Sequence, residues 1–273
     1  MHRPPGMPAG PFLAEQLKSK DPYELSEGHA IFTPPTGQRG GKANLEGGKV
    51  LGTDPAVTSA GIDAGFSAAP NALRAPDISV GNVEDAPGWA KTAPPLAVEY
   101  ADVGQDEVGL RQKIRELFEA GTRYVWVVRL AQEPRHVEVH EPNATMKVYR
   151  AGETLTAPGV LQNPVLVEAM WDEGAANEAA LRNLLNRAGY ASLEAIREEG
   201  VELGVAQGVA QGVAEGEALE AARSVLAACE ARGWTLSDET KQRVLACKDV
   251  QKSRAWLRRV ITEASVDDAL GTS

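Results

Sequence analysis

Between residues 96 and 130 the sequence runs LAVEYA, then DEVGLRQKIRELFEAG, then RYVWVVRL. Leu96, Val98 and Tyr100 alternate with Ala97, Glu99 and Ala101, which is the period of a strand. Two prolines precede the run and apolar residues stand on both faces, so it reads as an interior strand. Over 106–121, Leu110, Ile114, Leu117 and Phe118 recur at helical spacing, and Gly121 supplies a natural stop. Residues 123–130 read as a second buried strand. Strand, helix and strand in this order predict an α/β crossover with the two strands parallel.

The flanking sequence extends this unit in both directions. Residues 1–20 are rich in Pro and Gly and are expected to be a poorly ordered tail. YELSEGHAIF, beginning at Tyr23, reads as a hairpin turning near Ser26, Glu27 and Gly28. Residues 34–72, rich in Gly, Pro, Ala and Thr, read as loops with short elements. RAPDISV (74–80) starts a strand after its proline, and HVEVH (136–140) with MKVYR (146–150) predicts an antiparallel hairpin. PGVLQNPVLVEAMWD closes a domain spanning 21–172. The remainder reads as helical. Over 173–220 it forms a linker, a coiled-coil candidate, in which Gly200, Gly204, Gly208, Gly212 and Gly216 recur every four residues. Residues 221–268 form a small helical domain, with Ser237 as the N-cap of one of its helices.

The chain of 273 residues has a formal charge of -10, which argues against a protein that coats nucleic acid through a basic surface. Seven Glu and one Arg put -6 of this on residues 194–220. Two cysteines, Cys229 and Cys247, form no disulfide framework and point to a reducing compartment. The N-terminal sequence lacks the apolar core of a secretory signal, and no run has the length to span a bilayer. The expectation is a cytoplasmic protein with no membrane association.

Glu99 stands out against this background. A carboxylate in an interior strand is costly unless it is paired or binds a metal, and Ala97 and Ala101 read as leaving room beside it. Upstream, Asp77 follows Pro76 at the start of another strand. Downstream, Lys113 lies beside the apolar stripe of its helix and can aim its amine at the sheet. Two carboxylates suit a hard divalent cation, Mg²⁺ or Mn²⁺, and a nearby lysine offsets charge on a phosphate. The implied reaction is phosphodiester hydrolysis.

The residues Tyr23, Glu24, Leu25, Glu27 and Gly28; Pro34 and Pro35; Arg74, Pro76 and Asp77; Val98 and Glu99; Lys113; and Ala120, Gly121, Tyr124 and Trp126 occur in an order that resembles the Uma-two family. These are restriction-endonuclease-like nucleases of the PD-(D/E)XK superfamily, and the match runs over roughly 21–172. The resemblance implies an α/β (α+β) restriction-endonuclease-like core with a mixed central sheet, here followed by an all-helical C-terminal extension. It implies DNA as substrate, Asp77 and Glu99 as metal ligands with the Tyr100 backbone carbonyl, Lys113 as catalytic lysine, and Glu24 or Glu27 as an accessory acid. The superfamily often places its lysine two residues after the glutamate. Here that position is Ala101, and Lys113 from the next helix fits instead. The family's histidine after the paired prolines and its Ser-Pro after the glutamate strand are missing. Its long amphipathic helix is expected to be shortened or weakened by the glycines of TGQRGGKANLEGGKVLGTD.

Each feature has a plainer reading. Glu99 could simply pair with Arg74. His136, Glu138 and His140 share a strand face and could bind zinc, but such a run is more often a solvated surface. Lys42, Arg39, Arg111 and Arg115 are candidate phosphate contacts or ordinary surface charges. The glycine ladder favours a helix that self-associates into a homo-oligomer. An alternative function is therefore a catalytically weak, nuclease-derived assembly module that oligomerises through its helical extension.

Overall fold

The computed structural model describes residues 10–271. The chain divides into two compact units, one ending at Leu193 and one beginning at Glu194.

The first unit is built on a six-stranded sheet. In chain order its strands are β3 (Ala60–Ile62), β4 (Ile78–Val80), β5 (Leu96–Ala101), β6 (Tyr124–Arg129), β7 (His136–His140) and β8 (Lys147–Arg150), and they lie side by side in that same order. β5 and β6 are parallel, joined through α2 (Glu107–Glu119), and the other neighbours are antiparallel. The predicted crossover and the mixed central sheet are therefore both present. Asp106 caps α2 by accepting from the amides of Val108 and Gly109.

The two sheet faces bury different layers. On one, Ile78, Val98, Tyr100, Trp126 and Val128 join a core with Val50 and Leu51 of α1 (Gln38–Thr53) and Ala176 and Ala179 of α3 (Glu173–Arg187). On the other, Leu110, Ile114 and Leu117 of α2 cover Ala97, Ala101, Val125 and Val127. The stripe read from the sequence is thus the one that packs. A hairpin of β1 (Tyr23–Ser26) and β2 (His29–Phe32) stands apart, turning through Glu27 and Gly28, both with left-handed φ. Leu25 of β1 exchanges two backbone hydrogen bonds with Leu73, anchoring the hairpin beside the segment that carries Arg74 and Asp77. A short pair, β9 (Thr154–Leu155) with β10 (Val165–Leu166), lies in the closing segment.

The structure differs from the sequence reading at α1. Residues read as loops with short elements, where the resemblance implied a shortened or weakened helix, form a continuous 16-residue helix despite five glycines. Intrinsic propensity is against it, at about 1 kcal/mol per interior glycine, but burial of Ala43, Val50 and Leu51 outweighs that. Gly47 is required by packing. A Cβ there would stand 2.1 Å from the Tyr100 hydroxyl oxygen, and that hydroxyl donates to the Met170 carbonyl at 2.8 Å.

Two further boundaries can be placed. Residues 1–9 of the stretch expected to be poorly ordered lie outside the described residues, while Ala14 is buried with Leu25 and Leu73. Beyond residue 172, α3 is integral to the first unit: Asn183 Nδ2 donates to the Val50 carbonyl at 3.0 Å, and Arg187 donates to the carbonyls of Asp54 and Val57.

The second unit opens with α4 (Leu193–Ala231), a continuous helix of 39 residues. Its buried positions begin only at Ala218. From there Ala222, Val225 and Cys229 form a core with Val244 of α5 (Asp238–Leu245), Trp256 and Val260 of α6 (Val250–Thr262), and Leu270 of α7 (Val266–Leu270). Ser237 caps α5 as expected, accepting from the Thr240 amide. Among the described residues no helix is long and apolar enough to cross a membrane.

Candidate active site

Glu99 lies at the centre of β5, where all six residues are buried. The alanines on its face do not border open space, as the sequence reading had it. Ala97 and Ala101 are 0% and 3% exposed and sit under Leu110, Ile114 and Leu117. Their small size has another consequence: it lets α2 approach the sheet closely enough for Lys113 to reach Glu99.

Lys113 is the hub of the cluster. Its ammonium donates to Glu99 Oε2 at 3.0 Å and to the Ala75 carbonyl at 2.8 Å, and it lies 3.0 Å from Glu24 Oε1. Three donors thus have three partners. Asp77 comes up from the start of β4, and its Oδ2 accepts the Tyr100 amide at 2.6 Å. Arg74 does not pair with Glu99. Its guanidinium instead bonds Glu24 Oε2 at 2.8 Å and Glu116 Oε2 at 2.6 Å. Glu116 also accepts from Ser26 and Gln112. A continuous polar network therefore ties the β1–β2 hairpin, residues 74–77, β5 and α2 together.

Charge in this network is unbalanced. Burial pushes the Glu99 carboxyl up to about 8, with the Asp77 and Glu24 charges adding and Lys113 opposing. Burial likewise raises Asp77. Burial works against the Lys113 charge, but Glu24, Glu99 and Asp77 outweigh it and hold the amine well above its ordinary value. For Glu24, burial works upward, but the Lys113 and Arg74 charges overcome it and keep the carboxyl low. Three carboxylates share one ammonium and part of one guanidinium, so they do not all ionise readily: Glu99 and Asp77 are weakened as acids and Glu24 is not.

This surplus of negative charge fits a divalent cation. Glu99 Oε1 lies within ion-pair reach of Lys113, at 2.9 Å, yet is buried and accepts no hydrogen bond. Asp77 and Glu99 are the residues that could hold the ion. Among the described residues no three His, Cys, Asp or Glu side chains stand as a ready-made metal group, so water would have to complete any coordination shell.

Other candidates stand elsewhere. Glu27 is exposed at the hairpin tip with φ +49 and serves the turn. The Tyr100 backbone, by contrast, borders the cluster through its amide bond to Asp77, while its ring lies in the core of the opposite face. Glu138 is held by Arg129 through two bonds of 2.9 Å, and Arg129 also bonds Glu107. His140 and His136 approach Glu138 only to 3.5 and 3.9 Å, so this carboxylate is committed to an ion pair and not to a zinc triad. Arg39 pairs with Asp102 and Lys42 with Glu173, while Arg111 and Arg115 are exposed on α2. One acid escaped the sequence reading. Asp63 follows β3 with φ +51, and its amide donates to the Asp77 carbonyl at 3.2 Å. Desolvation raises its carboxyl, with Lys113 opposing and Glu24 adding, so it shares the field of the cluster from an exposed rim.

The model of the Uma2 family, described as "Putative restriction endonuclease", matches residues 12–168. The chain belongs to the Uma2 family. The crystal structure of a putative nuclease belonging to DUF820, from Anabaena variabilis, shares its fold with a TM-score of 0.50 at 17% identity, over 61% of this chain and 99% of that one. Comparison with curated proteins gave no match. The Uma2 assignment supports a nuclease, and the shared structure shows the fold. The cluster around Lys113 lies within the span that the Uma2 model covers, and the C-terminal unit lies outside it.

Proposed function

We propose that this chain is a metal-dependent endonuclease that hydrolyses DNA phosphodiester bonds at Asp77, Glu99 and Lys113. The observation that carries this reading is the placement of the Lys113 ammonium on Glu99, beside an Asp77 fixed by the next residue of the same strand. A Glu99 paired to arginine would have favoured a structural role.

Asp77 and Glu99 would hold Mg²⁺ or Mn²⁺. Such an ion, when bound, lowers the pKa of a water molecule and neutralises charge on the phosphate. The surrounding carboxylates keep Lys113 protonated, so its part is to stabilise charge on the phosphate oxygens rather than to remove a proton from water. Glu24 orients that ammonium and is itself fixed by Arg74. Arg111 and Arg115, exposed on α2, are available to phosphates flanking the scissile bond. The free cysteines, Cys229 and Cys247, support a reducing, cytoplasmic setting.

Cleavage of supercoiled plasmid with Mg²⁺ or Mn²⁺ tests the reading. Nicking by the wild type that Glu99→Ala and Lys113→Ala both abolish is the expected result. Activity that survives both substitutions would rule out this site.

A second reading, a catalytically weak assembly module, draws support from α4, where Val201, Val205, Val209 and Val213 are exposed beside the glycine ladder. It requires a homo-oligomer that Val205→Glu with Val209→Glu dissociates in sedimentation equilibrium.

A further inference from the structure

Helix α6, VQKSRAWLRRVIT, carries Lys252, Arg254, Arg258 and Arg259 and no acidic residue, in a chain whose formal charge is -10. Ser253, Trp256 and Val260 face the core of its unit. Arg254, Arg258 and Arg259 occupy the exposed arc, and Lys252 stands at its edge with its ammonium over the Trp256 ring, 5.1 Å from the centroid. At 100° per residue, Arg258 sits near its centre, with Arg254 on one flank and Lys252 and Arg259 on the other.

Two guanidinium groups of this unit are held by the fold. Arg232 donates to the carbonyls of Val260 and Glu263 and stacks over Trp234, and Arg243 donates to the Gly271 carbonyl. These are structural. Among the described residues, Arg254, Arg258 and Arg259 have no ion pair and no side-chain hydrogen bond. Arg254 and Arg258 are like charges one turn apart, which destabilises a helix. An arrangement that costs stability and leaves its donors open is suited to a polyanion.

We propose that α6 is a second DNA contact, which grips the phosphate backbone without reading sequence. This rests on DNA being the substrate of the site in the first unit. Arginine suits phosphate through its planar fork. Cations on both flanks of the arc allow a helix laid along a groove to reach the phosphates on either side. Tethering DNA in this way raises its effective concentration at the proposed catalytic cluster.

The test is fluorescence anisotropy of a labelled random-sequence duplex with the full chain in EDTA, across a salt series. The triple variant Arg254→Gln/Arg258→Gln/Arg259→Gln is expected to bind about 10- to 100-fold more weakly, with a plot of log affinity against log salt flatter by about 2 to 3. The matching Arg→Lys triple variant retains charge and is expected to keep most of the affinity and the salt slope, which separates charge loss from misfolding. An unchanged slope in the Gln variant, or no duplex binding by the wild type, overturns the proposal. So does a Gln variant that changes oligomeric state at constant DNA affinity, since α6 would then dock the acidic stretch of α4 in a second copy. Binding in EDTA is independent of cleavage. A chain that binds through α6 but nicks no plasmid would sink the nuclease reading and leave this one standing.

Discussion

The amide of Tyr100 donates to Asp77 Oδ2 at 2.6 Å, one residue beyond Glu99 on the same strand. This bond fixes where the Asp77 carboxylate can stand relative to Glu99. It also makes Asp77→Asn a clean variant, because the asparagine carbonyl oxygen can accept the same amide. Its stability is expected within about 1 kcal/mol of wild type, while metal-dependent nicking is lost. Urea melts paired with plasmid assays check this. Full activity in Asp77→Asn would remove Asp77 from the proposed site.

Lys113 neutralises carboxylates that are otherwise buried together, so its loss should be felt in the fold as well as in catalysis. Lys113→Met is expected to cost about 3–5 kcal/mol, the usual penalty for stranding a buried charge. Adding Glu24→Gln and Glu99→Gln should recover most of that stability and none of the activity. If the single variant melts like wild type, the carboxylates around Lys113 are not charged in the folded chain.

Glu99 gives the opposite sign. Its folded pKa of about 8 stands above the ordinary 4.5, so between those values the folded chain binds more protons than the unfolded one. Stability then falls as pH rises through this window. Glu99→Gln abolishes the slope and is expected to be more stable than wild type at pH values above 8, by a few kcal/mol at most. Thermal melts across pH in EDTA measure this. Parallel wild-type and variant curves would mean that Glu99 ionises normally.

The parts of the fold that were legible in the sequence are those set by local pattern. The crossover from β5 through α2 to β6 follows from two periodicities, and the β1–β2 hairpin from a turn at Glu27 and Gly28. Lys113 was found because its place beside the Leu110–Ile114 stripe limits where its amine can go. The parts that were missed depend on distant partners. Local propensity does not give the full length of α1, a helix that the resemblance alone indicated, and its Gly47 makes room for Tyr100, Ile78 and Met170. Asp63 has no motif of its own and joins the cluster only through its place opposite Asp77 at the end of the β3–β4 ladder. The alanines flanking Glu99 do not leave open room, because α2 fills the space beside them, and which element does so is a tertiary fact.

Glu138 provides an acid limb independent of the proposed site. Its carboxyl is lowered to about 2: burial acts upward, but His140 and the two Arg129 bonds outweigh it. At 2.9 Å the Arg129 bonds are much closer than the 3.5 Å His140 contact, and they are the stronger hold. This stabilisation is complete above the ordinary value of 4.5 and is lost as pH falls towards 2. Solvent screening keeps it below the roughly 3 kcal/mol that the shift alone would imply. Glu138→Gln should be less stable at neutral pH and should lose less stability on acidification. An unaltered acid limb in the variant would place the acid sensitivity elsewhere.

Two glycine substitutions separate packing from propensity. Gly208 in α4 has nothing within 4 Å of an added Cβ, whereas Gly47 in α1 has the Tyr100 hydroxyl oxygen at 2.1 Å. Gly208→Ala should therefore stabilise its helix by up to about 1 kcal/mol. Gly47→Ala gains the same propensity but must displace Tyr100 or shift α1 from the sheet, and a net loss of about 1–3 kcal/mol is expected. Because Tyr100 neighbours Glu99 on β5, Gly47→Ala should also lower nicking activity, and Gly208→Ala should not. Circular dichroism melts read alongside plasmid cleavage give both signs. A Gly47→Ala variant as stable and active as wild type would show that α1 can move off Tyr100 freely, and that the helix does not hold the strand carrying Glu99 in place.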